Sequence, residues 1–178
     1  RGLMFLCSPF GRESAAGLRS LGVKAIKIAS PELNHFPLLD MVSGLPLLLS
    51  TGVSKLADIE RGLEYIESRS EQNDPTRPYS PNSDPQLEDQ EDQKDRTAQS
   101  TRNTQVALLH CITAYPAPAE QYNLRLIPLL GSLFGTVVGV SDHSRHPYLV
   151  PMLAVSRGAR IIEKHLTLAH QGNGLDDP

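Results

Sequence analysis

Short apolar runs alternate with helical patterns along most of this chain, and that alternation constrains the fold more than any other feature. Six runs are rich in aliphatic and β-branched residues: LMFLCSP (3–9), AIKIAS (25–30), PLLLSTG (46–52), VALLHC (106–111), TVVGVSD (136–142) and ARIIEKHLT (159–167). Strands that are apolar on both faces and separated by helices are typical of a parallel sheet covered by helices. The sequence therefore predicts an α/β fold of about six βα units.

One segment breaks this rhythm. Residues 69–104 are rich in Ser, Asp, Glu, Gln and Pro, and their eight acids and five bases give a net charge of -3. Such a composition cannot bury enough apolar surface to order itself. Because the strand–helix rhythm is the same on both sides, we expect a disordered acidic insert within one domain spanning 1–178. A linker between two domains is the alternative.

Charge and cysteine content exclude several classes of function. Lys and Arg number 17 against 20 Asp and Glu, and no basic cluster is present, which argues against a nucleic-acid partner. The two cysteines, Cys7 and Cys111, lack metal-site spacing, and no apolar run is long enough to span a membrane. We expect a cytoplasmic protein without a membrane partner. Because a strand-like run begins within two residues of Arg1, we also expect that the chain is cut from a longer one.

Polar side chains gather at the carboxyl ends of the predicted strands. Alternation puts Ile26 and Ile28 towards the helices and Lys27 on the opposite face. The same sorting gives that opposite face a set of further polar residues: Ser50, Thr113, Tyr115, Ser141, His143, Glu163 and His165. If the sheet closes into a barrel, these groups converge on one mouth, where α/β barrels keep their active sites. The alternative for Lys27 is an internal ion pair.

Two of these residues form a candidate metal site. His143 and His165 occupy equivalent positions on consecutive strands, and neighbouring strands lie about 4.8 Å apart. Two imidazoles at that separation can share a divalent ion that keeps open positions for water and substrate. A lone histidine is more often a hydrogen-bonded core residue, and we assign His110, on the helix-facing side, to that class.

Several motifs resemble those of the N-acetylneuraminate (sialic acid) synthases and their relatives for legionaminic, pseudaminic and spore-coat sugars. They occur in the family's order: SPF (8–10), KIAS (27–30), LSTG (49–52), LHCITAYPAP (109–118), NLRLIP (123–128), GVSDHS (139–144), EKHLTL (163–168) and GLDD (174–177). Any one motif is weak evidence. SDH and EKH following the HCxxxYPxP pattern are specific together, and the motifs cover nearly the whole chain outside the insert.

The resemblance implies a TIM-type (β/α)8 barrel, here incomplete, with the first two strands missing. It implies a transferase that condenses phosphoenolpyruvate with the open-chain aldehyde of an N-acetylhexosamine, such as N-acetylmannosamine or its 6-phosphate. The products are a nonulosonic acid and phosphate. The implied cofactor is a divalent metal, with Mn²⁺ expected first and Mg²⁺ or Co²⁺ as alternatives, and the implied assembly of the parent protein is a homodimer.

The resemblance also implies roles for single residues. His143 and His165 resemble the metal ligands. The phosphate and carboxylate of phosphoenolpyruvate would be held by a set of donors, namely Lys27, Ser30, Ser50, Thr113, Tyr115 and Ser141. Glu163 resembles the carboxylate that handles protons or orients water near the cationic intermediate, and Lys27 supplies a positive charge. Asp176 resembles a residue that binds the sugar hydroxyls.

The sequence departs from the family in several places. Thr113 stands where many members have asparagine, and Asp177 stands at a position that is usually histidine. The resemblance also leads us to expect that this sequence lacks the family's first two strands, which carry a glutamate and a second lysine, and its C-terminal antifreeze-like domain. We therefore expect the isolated chain to be inactive or marginally stable.

Two other functions remain open at this point. A Schiff-base aldolase would use Lys27 as its nucleophile, since an inward lysine at a strand end suits imine formation. A degenerate fragment or binding module would retain the motifs without the chemistry.

Overall fold

A computed structural model of the protein describes residues 2–72 and 105–167, which form a single parallel sheet with covering helices. Five strands lie in the order in which the chain makes them: β1 (Ile26–Ile28), β2 (Leu47–Ser50), β3 (Val106–Cys111), β4 (Val137–Asp142) and β5 (Ile162–Lys164). The helices are α1 (Arg12–Ser20), α2 (Phe36–Val42), α3 (Leu56–Gln72), α4 (Leu126–Phe134) and α5 (Leu149–Ser156). The predicted α/β class is confirmed.

The core lies between the sheet and the helices. Alternate strand residues supply it, and all of them are aliphatic: Ile26, Ile28, Leu47, Leu49, Val106, Leu108, Val138 and Val140. Leu38, Leu39 and Val42 of α2 pack there, as do Ile59 and Leu63 of α3. This is the set that period-two alternation assigns to the helix-facing side, so the residues between them must face the other way.

The sheet is curled into a half-barrel. Lys27 of β1 and Glu163 of β5 lie on the two edge strands of the described sheet, yet Lys27 Nζ is 2.9 Å from Glu163 Oε1. Four strand spacings would separate these strands by roughly 19 Å if the sheet were flat. That is far more than one lysine and one glutamate side chain can span, so the contact requires strong curvature.

The first predicted strand is wrong. Residues 3–9 form no strand, and Leu3, Met4 and Phe5 are exposed. The run passes beside β1, where Lys27 N–H donates to Cys7 O at 3.2 Å, but it does not extend into a regular ladder. An apolar run by itself therefore establishes neither burial nor a strand, because a strand needs a partner in register. The described chain has five strands instead of six.

The predicted insert begins too early. Helix α3 continues through Arg69 to Gln72, because its helical pattern extends into the first residues of the polar segment. The rest of the insert lies outside the described residues. None of the helices in the two described ranges is long and apolar enough to cross a membrane.

Candidate active site at the carboxyl ends of the strands

The predicted site residues lie at or just beyond the carboxyl ends of the five strands. Lys27, Ser50, Ser141 and Glu163 lie within strands, and Ser141 is in register with Glu163 on β5 and with Cys111 on β3. The other members follow strand ends: Ser30, Thr113, Tyr115, His143 and His165. Asp176 lies outside the described residues. The sheet therefore brings the described members of the predicted set to one mouth.

An ion pair crosses this mouth. Lys27 and Glu163 meet at 2.9 Å, and their side chains are 17% and 32% exposed. Glu163 Oε1 forms the contact with the Lys27 ammonium, while Glu163 Oε2 is buried and has no hydrogen-bond partner among the described residues. Lys27 is thus in the internal ion pair that the sequence left open as the alternative to a binding role. The second carboxylate oxygen stays available to accept a proton or a hydrogen bond.

The two histidines lie side by side. The ring centroids of His143 and His165 are 4.9 Å apart, with the rings tilted by 37°. His143 Nδ1–H donates to Ile112 O at 2.9 Å, and Ser141 Oγ lies 3.0 Å from His143 Nε2. Burial lowers the pKa of His143, and the nearby His165 and Lys27 lower it further. The hydrogen bond to Ile112 O and the charge of Glu163 raise this pKa, but the net shift is downward. His143 is therefore neutral near pH 7, and its Nε2 is placed to accept a hydrogen bond from the Ser141 hydroxyl.

Tyr115 completes the aromatic wall beside these rings. Its ring stacks on His143 at a centroid distance of 4.4 Å and lies 5.9 Å from His165. Burial raises the pKa of the Tyr115 phenol, and the nearby Cys111 and Glu163 add to the shift. The phenol therefore keeps its proton and can act as a hydrogen-bond donor.

The hydroxyl groups on the β1 to β3 side are arranged around Gly52. Ser30 Oγ accepts the Gly52 N–H at 3.0 Å and lies 3.6 Å from Cys111 Sγ. A methyl group at Gly52 would collide with Thr113 Oγ1 and lie 2.7 Å from Cys111 Sγ, so only glycine permits this approach. Ser50 Oγ is buried and, within the described ranges, has no hydrogen-bond partner.

The residues present fit a divalent metal with few protein ligands. Within residues 2–72 and 105–167, no three His, Cys, Asp or Glu side chains form a metal-binding group by themselves. A neutral imidazole that donates its other N–H to a backbone carbonyl is the usual state of a metal-binding histidine, and His143 has this arrangement. Two such nitrogens would leave the remaining positions to water and substrate oxygens.

Sequence reasoning missed the groups that hold His143 in place. Tyr122 is 1% exposed, and its hydroxyl oxygen accepts a hydrogen bond from the backbone N–H of His143 at 2.6 Å. Asp142 pairs with Lys164 at 2.8 Å on the helix-facing side of the strands. Burial raises the pKa of Asp142, but hydrogen bonds from Lys164 and Ser144 outweigh it and lower the pKa below its ordinary value. In the sequence, the only sign of these groups is that Asp142 and Lys164 are charged residues on the face that alternation assigns to the core.

His110 has the role predicted for it. It is 5% exposed, its Nε2 hydrogen-bonds the Tyr122 carbonyl, and burial lowers its pKa. A cavity of about 230 Å³ lies at the opposite, amino-terminal ends of β2 and β3, lined in part by Leu45, Arg69 and Val106. It contains none of the predicted site residues, so the chemistry suggested by the sequence belongs to the open mouth.

Fold and site together define an α/β half-barrel with polar groups at the carboxyl ends of its strands. A model of the NeuB family matches residues 1–178, and the chain belongs to that family. The resemblance stated from the motifs is confirmed.

Known relatives match nearly all of the chain. The spore coat polysaccharide biosynthesis protein SpsE of Bacillus subtilis is 34% identical over 177 residues, which are 98% of this chain and 39% of that protein. An N,N'-diacetyllegionaminic acid synthase of Campylobacter jejuni is 32% identical over 98% of this chain and 43% of its own length. The crystal structure of an N-acetylneuraminic acid synthetase from Leptospira borgpetersenii in complex with citrate is 28% identical, with a TM-score of 0.75. The match covers 98% of this chain and 50% of the chain in that crystal structure.

Proposed function

We propose that this chain contributes its strand ends to an enzyme that condenses phosphoenolpyruvate with an N-acylated amino sugar to give a nonulosonic acid and phosphate. The relatives named as nonulosonic acid synthases support this assignment. Because the chain spans 39% of SpsE and 43% of the legionaminic acid synthase, the proposal concerns the activity of the natural protein at full length. The same likeness supports a (β/α)8 barrel of which these strands form part.

The observation that carries the proposal is the meeting of one cation, one carboxylate and two imidazoles at a single mouth. Lys27 and Glu163 are in contact, and both of their charges act on the pKa of His143, behind the larger effect of burial. His165 lies against His143. Phosphoenolpyruvate is an anion that passes through a cationic state during condensation, so these groups match its successive charges.

Lys27 and the neighbouring hydroxyls would bind the anionic ends of phosphoenolpyruvate. An ammonium provides a point charge for phosphate or carboxylate. The Ser50 hydroxyl is buried and has no hydrogen-bond partner among the residues that the structure describes, so it can donate to an incoming anion at no cost in existing hydrogen bonds there. Ser30, Thr113, Tyr115 and Ser141 add further donors at the same mouth.

His143 and His165 would hold a divalent ion, for which we propose Mn²⁺, with Mg²⁺ and Co²⁺ as alternatives. When bound, the ion would polarise the sugar aldehyde as a Lewis acid. The chain's own contribution is to keep His143 neutral and oriented by its bond to Ile112 O.

The reaction balances with these groups. The enol carbon of phosphoenolpyruvate forms a bond to the aldehyde carbon, and the aldehyde oxygen gains a proton to become a hydroxyl. Water adds to the cationic C2, and Glu163 accepts one proton of this water and passes it to the aldehyde oxygen. The C2–O bond to phosphate then breaks, C2 becomes a carbonyl, and the second water proton leaves with the phosphate. Glu163 Oε2, which has no hydrogen-bond partner within the described part of the chain, suits the transfer from water because it can accept the proton.

The test measures phosphate release from phosphoenolpyruvate by the natural protein at full length, with Mn²⁺ and a panel of N-acetylhexosamines. We expect His143→Ala and His165→Ala to lose turnover while remaining folded, and His35→Ala, at a partly exposed histidine paired with Glu32, to retain it. Unchanged turnover in the two site variants would contradict the assignment.

The same assay separates the alternatives. EDTA would abolish a metal-dependent synthase, whereas borohydride would trap a carbonyl substrate on Lys27 in an aldolase. The Lys27–Glu163 contact favours the synthase, because imine formation needs a free neutral amine. Inactivity of the isolated chain, a homodimeric parent and a cytoplasmic location stay predictions.

A further inference from the structure

A second ion pair lies directly behind the two histidines. Asp142 ends β4 and Lys164 ends β5, and the two residues are in register. Lys164 Nζ donates to Asp142 Oδ2 at 2.8 Å, the Asp142 carboxylate is fully buried, and the Lys164 side chain is 23% exposed. Each member immediately precedes one of the histidines.

The pair also ties down the backbone on the far side of His143. Asp142 Oδ1 accepts the Ser144 N–H at 2.8 Å. Lys164 Nζ donates to Ser144 O and lies 3.5 Å from Ser144 Oγ. One lysine on β5 therefore holds both residues that flank His143, and the residue that follows this lysine is His165. The spacing of the two rings depends on where these two strand ends sit relative to each other.

Stability alone is a weak reason for such a pair. Burying two charges costs desolvation free energy that their attraction offsets only in part, and an apolar or neutral replacement of both is often tolerated. A buried pair is better suited to fixing the relative position of two elements. Here the elements are the two strand ends that present the imidazoles.

We infer that Asp142 and Lys164 are positioning residues that set the separation of the His143 and His165 rings and thereby their affinity for a divalent ion. The second half of this inference rests on the proposed function, whereas the first half concerns geometry alone. The pair does not touch substrate and acts only through the histidines.

The experiment compares single and double variants in the natural protein at full length. Lys164→Met leaves Asp142 buried without its cation and should lower the melting temperature. The double variant Asp142→Asn with Lys164→Met removes both charges and should recover much of that loss. The matched control is Asp40→Asn with Arg69→Met, which removes a 2.9 Å ion pair between α2 and α3 away from the mouth.

Two measurements on the folded double variant decide the outcome. Calorimetric titration of the metal-free protein with Mn²⁺ should show about 10–100-fold weaker binding, the range for loss of groups that orient metal ligands, and the control should bind as the unaltered protein does. A metal-free crystal structure should show the ring separation changed by more than about 0.5 Å, the tolerance within which a site must be held.

The outcomes separate positioning from stability. If the double variant recovers its melting temperature and the ring separation stays within that tolerance, the inference is overturned. If the ring separation changes but the unaltered protein itself does not bind Mn²⁺, the geometric inference stands and the proposed metal site fails. If the separation changes while Mn²⁺ affinity falls by less than about tenfold, the inferred link to metal affinity is wrong.

Discussion

Gly139 on β4 offers a direct test of how closely β4 and β5 must approach. A methyl group at this position would lie 2.7 Å from Ile161 Cβ and 2.9 Å from Ile161 C, and closer still to Ile161 O. Ordinary carbon contacts need about 3.5–4.0 Å. Because backbone atoms cannot rotate away, Gly139→Ala must push β5 outwards. That movement strains the hydrogen bond from Val140 N to Ile161 O, now 2.9 Å.

The expected cost of Gly139→Ala is the sum of two effects. Overpacking costs about 1–3 kcal/mol, and loss of one hydrogen bond adds about 1 kcal/mol, so the free energy of unfolding should fall by about 2–4 kcal/mol. At about 2–4 °C per kcal/mol, the melting temperature should fall by about 4–16 °C. Thermal unfolding followed by circular dichroism measures this shift.

A second glycine provides the matched control. Gly131 lies within α4, and a methyl group there would meet its nearest neighbours at 3.7 Å, an ordinary contact. Gly131→Ala should therefore be neutral or stabilise the protein by about 0.5–1 kcal/mol, because alanine loses less backbone entropy in a helix. If Gly139→Ala were as stable as Gly131→Ala, β5 would not lie against β4 as described.

Three further predictions concern charge. Lys27→Met should weaken phosphoenolpyruvate binding by about 10–150-fold, from about 1.5–3 kcal/mol for a hydrogen bond to a charged group, while Lys24→Met at an exposed lysine should leave calorimetric titrations unchanged. Glu163→Gln frees Lys27 from its partner, so this variant should bind phosphoenolpyruvate at least as tightly as the unaltered protein but turn over more slowly. Equal losses in kcat and kcat/KM with unchanged binding would support this prediction, and weaker binding would contradict it. His110 has a lowered pKa because it is buried, so below its unfolded value of about 6.5 the unfolded chain binds the proton first and stability falls as the pH falls. His110→Gln can still donate to the Tyr122 carbonyl. In this variant the free energy of unfolding, measured with urea, should depend less on pH between about 6.5 and the lower pKa of folded His110. An unchanged pH dependence would exclude His110 as its source.

The mouth could be predicted from the sequence because strand alternation is a strictly local property. Once a run is known to be a strand, period two decides that Ile26 and Ile28 face the helices and that Lys27 does not. The structure confirms the same division for β4, where Val140 joins the core and Ser141 lies in register with Glu163 of β5. No long-range information was needed for this step.

Other features depend on contacts that periodicity does not encode. The run at 3–9 has the composition of a strand, yet Leu3 and Phe5 are exposed, because regular pairing requires a partner strand in register. The Asp142–Lys164 pair lies on the face that alternation assigns to the core, so a pattern search discards both charges as exceptions. Partners on another strand decide each case.

The Lys27–Glu163 contact links the curvature of the sheet to its chemistry. Five strands make four intervals, which is half of the eight around a closed eight-stranded barrel, whose interior is just wide enough for side chains to fill. Strands four intervals apart would then face each other across that interior, where one lysine and one glutamate can meet as they do here. His143 and His165 follow adjacent strands, so their spacing depends on a single interval. Curvature therefore brings the Lys27 ammonium to Glu163 across the mouth, whereas local pairing of β4 with β5 sets the positions of the imidazoles.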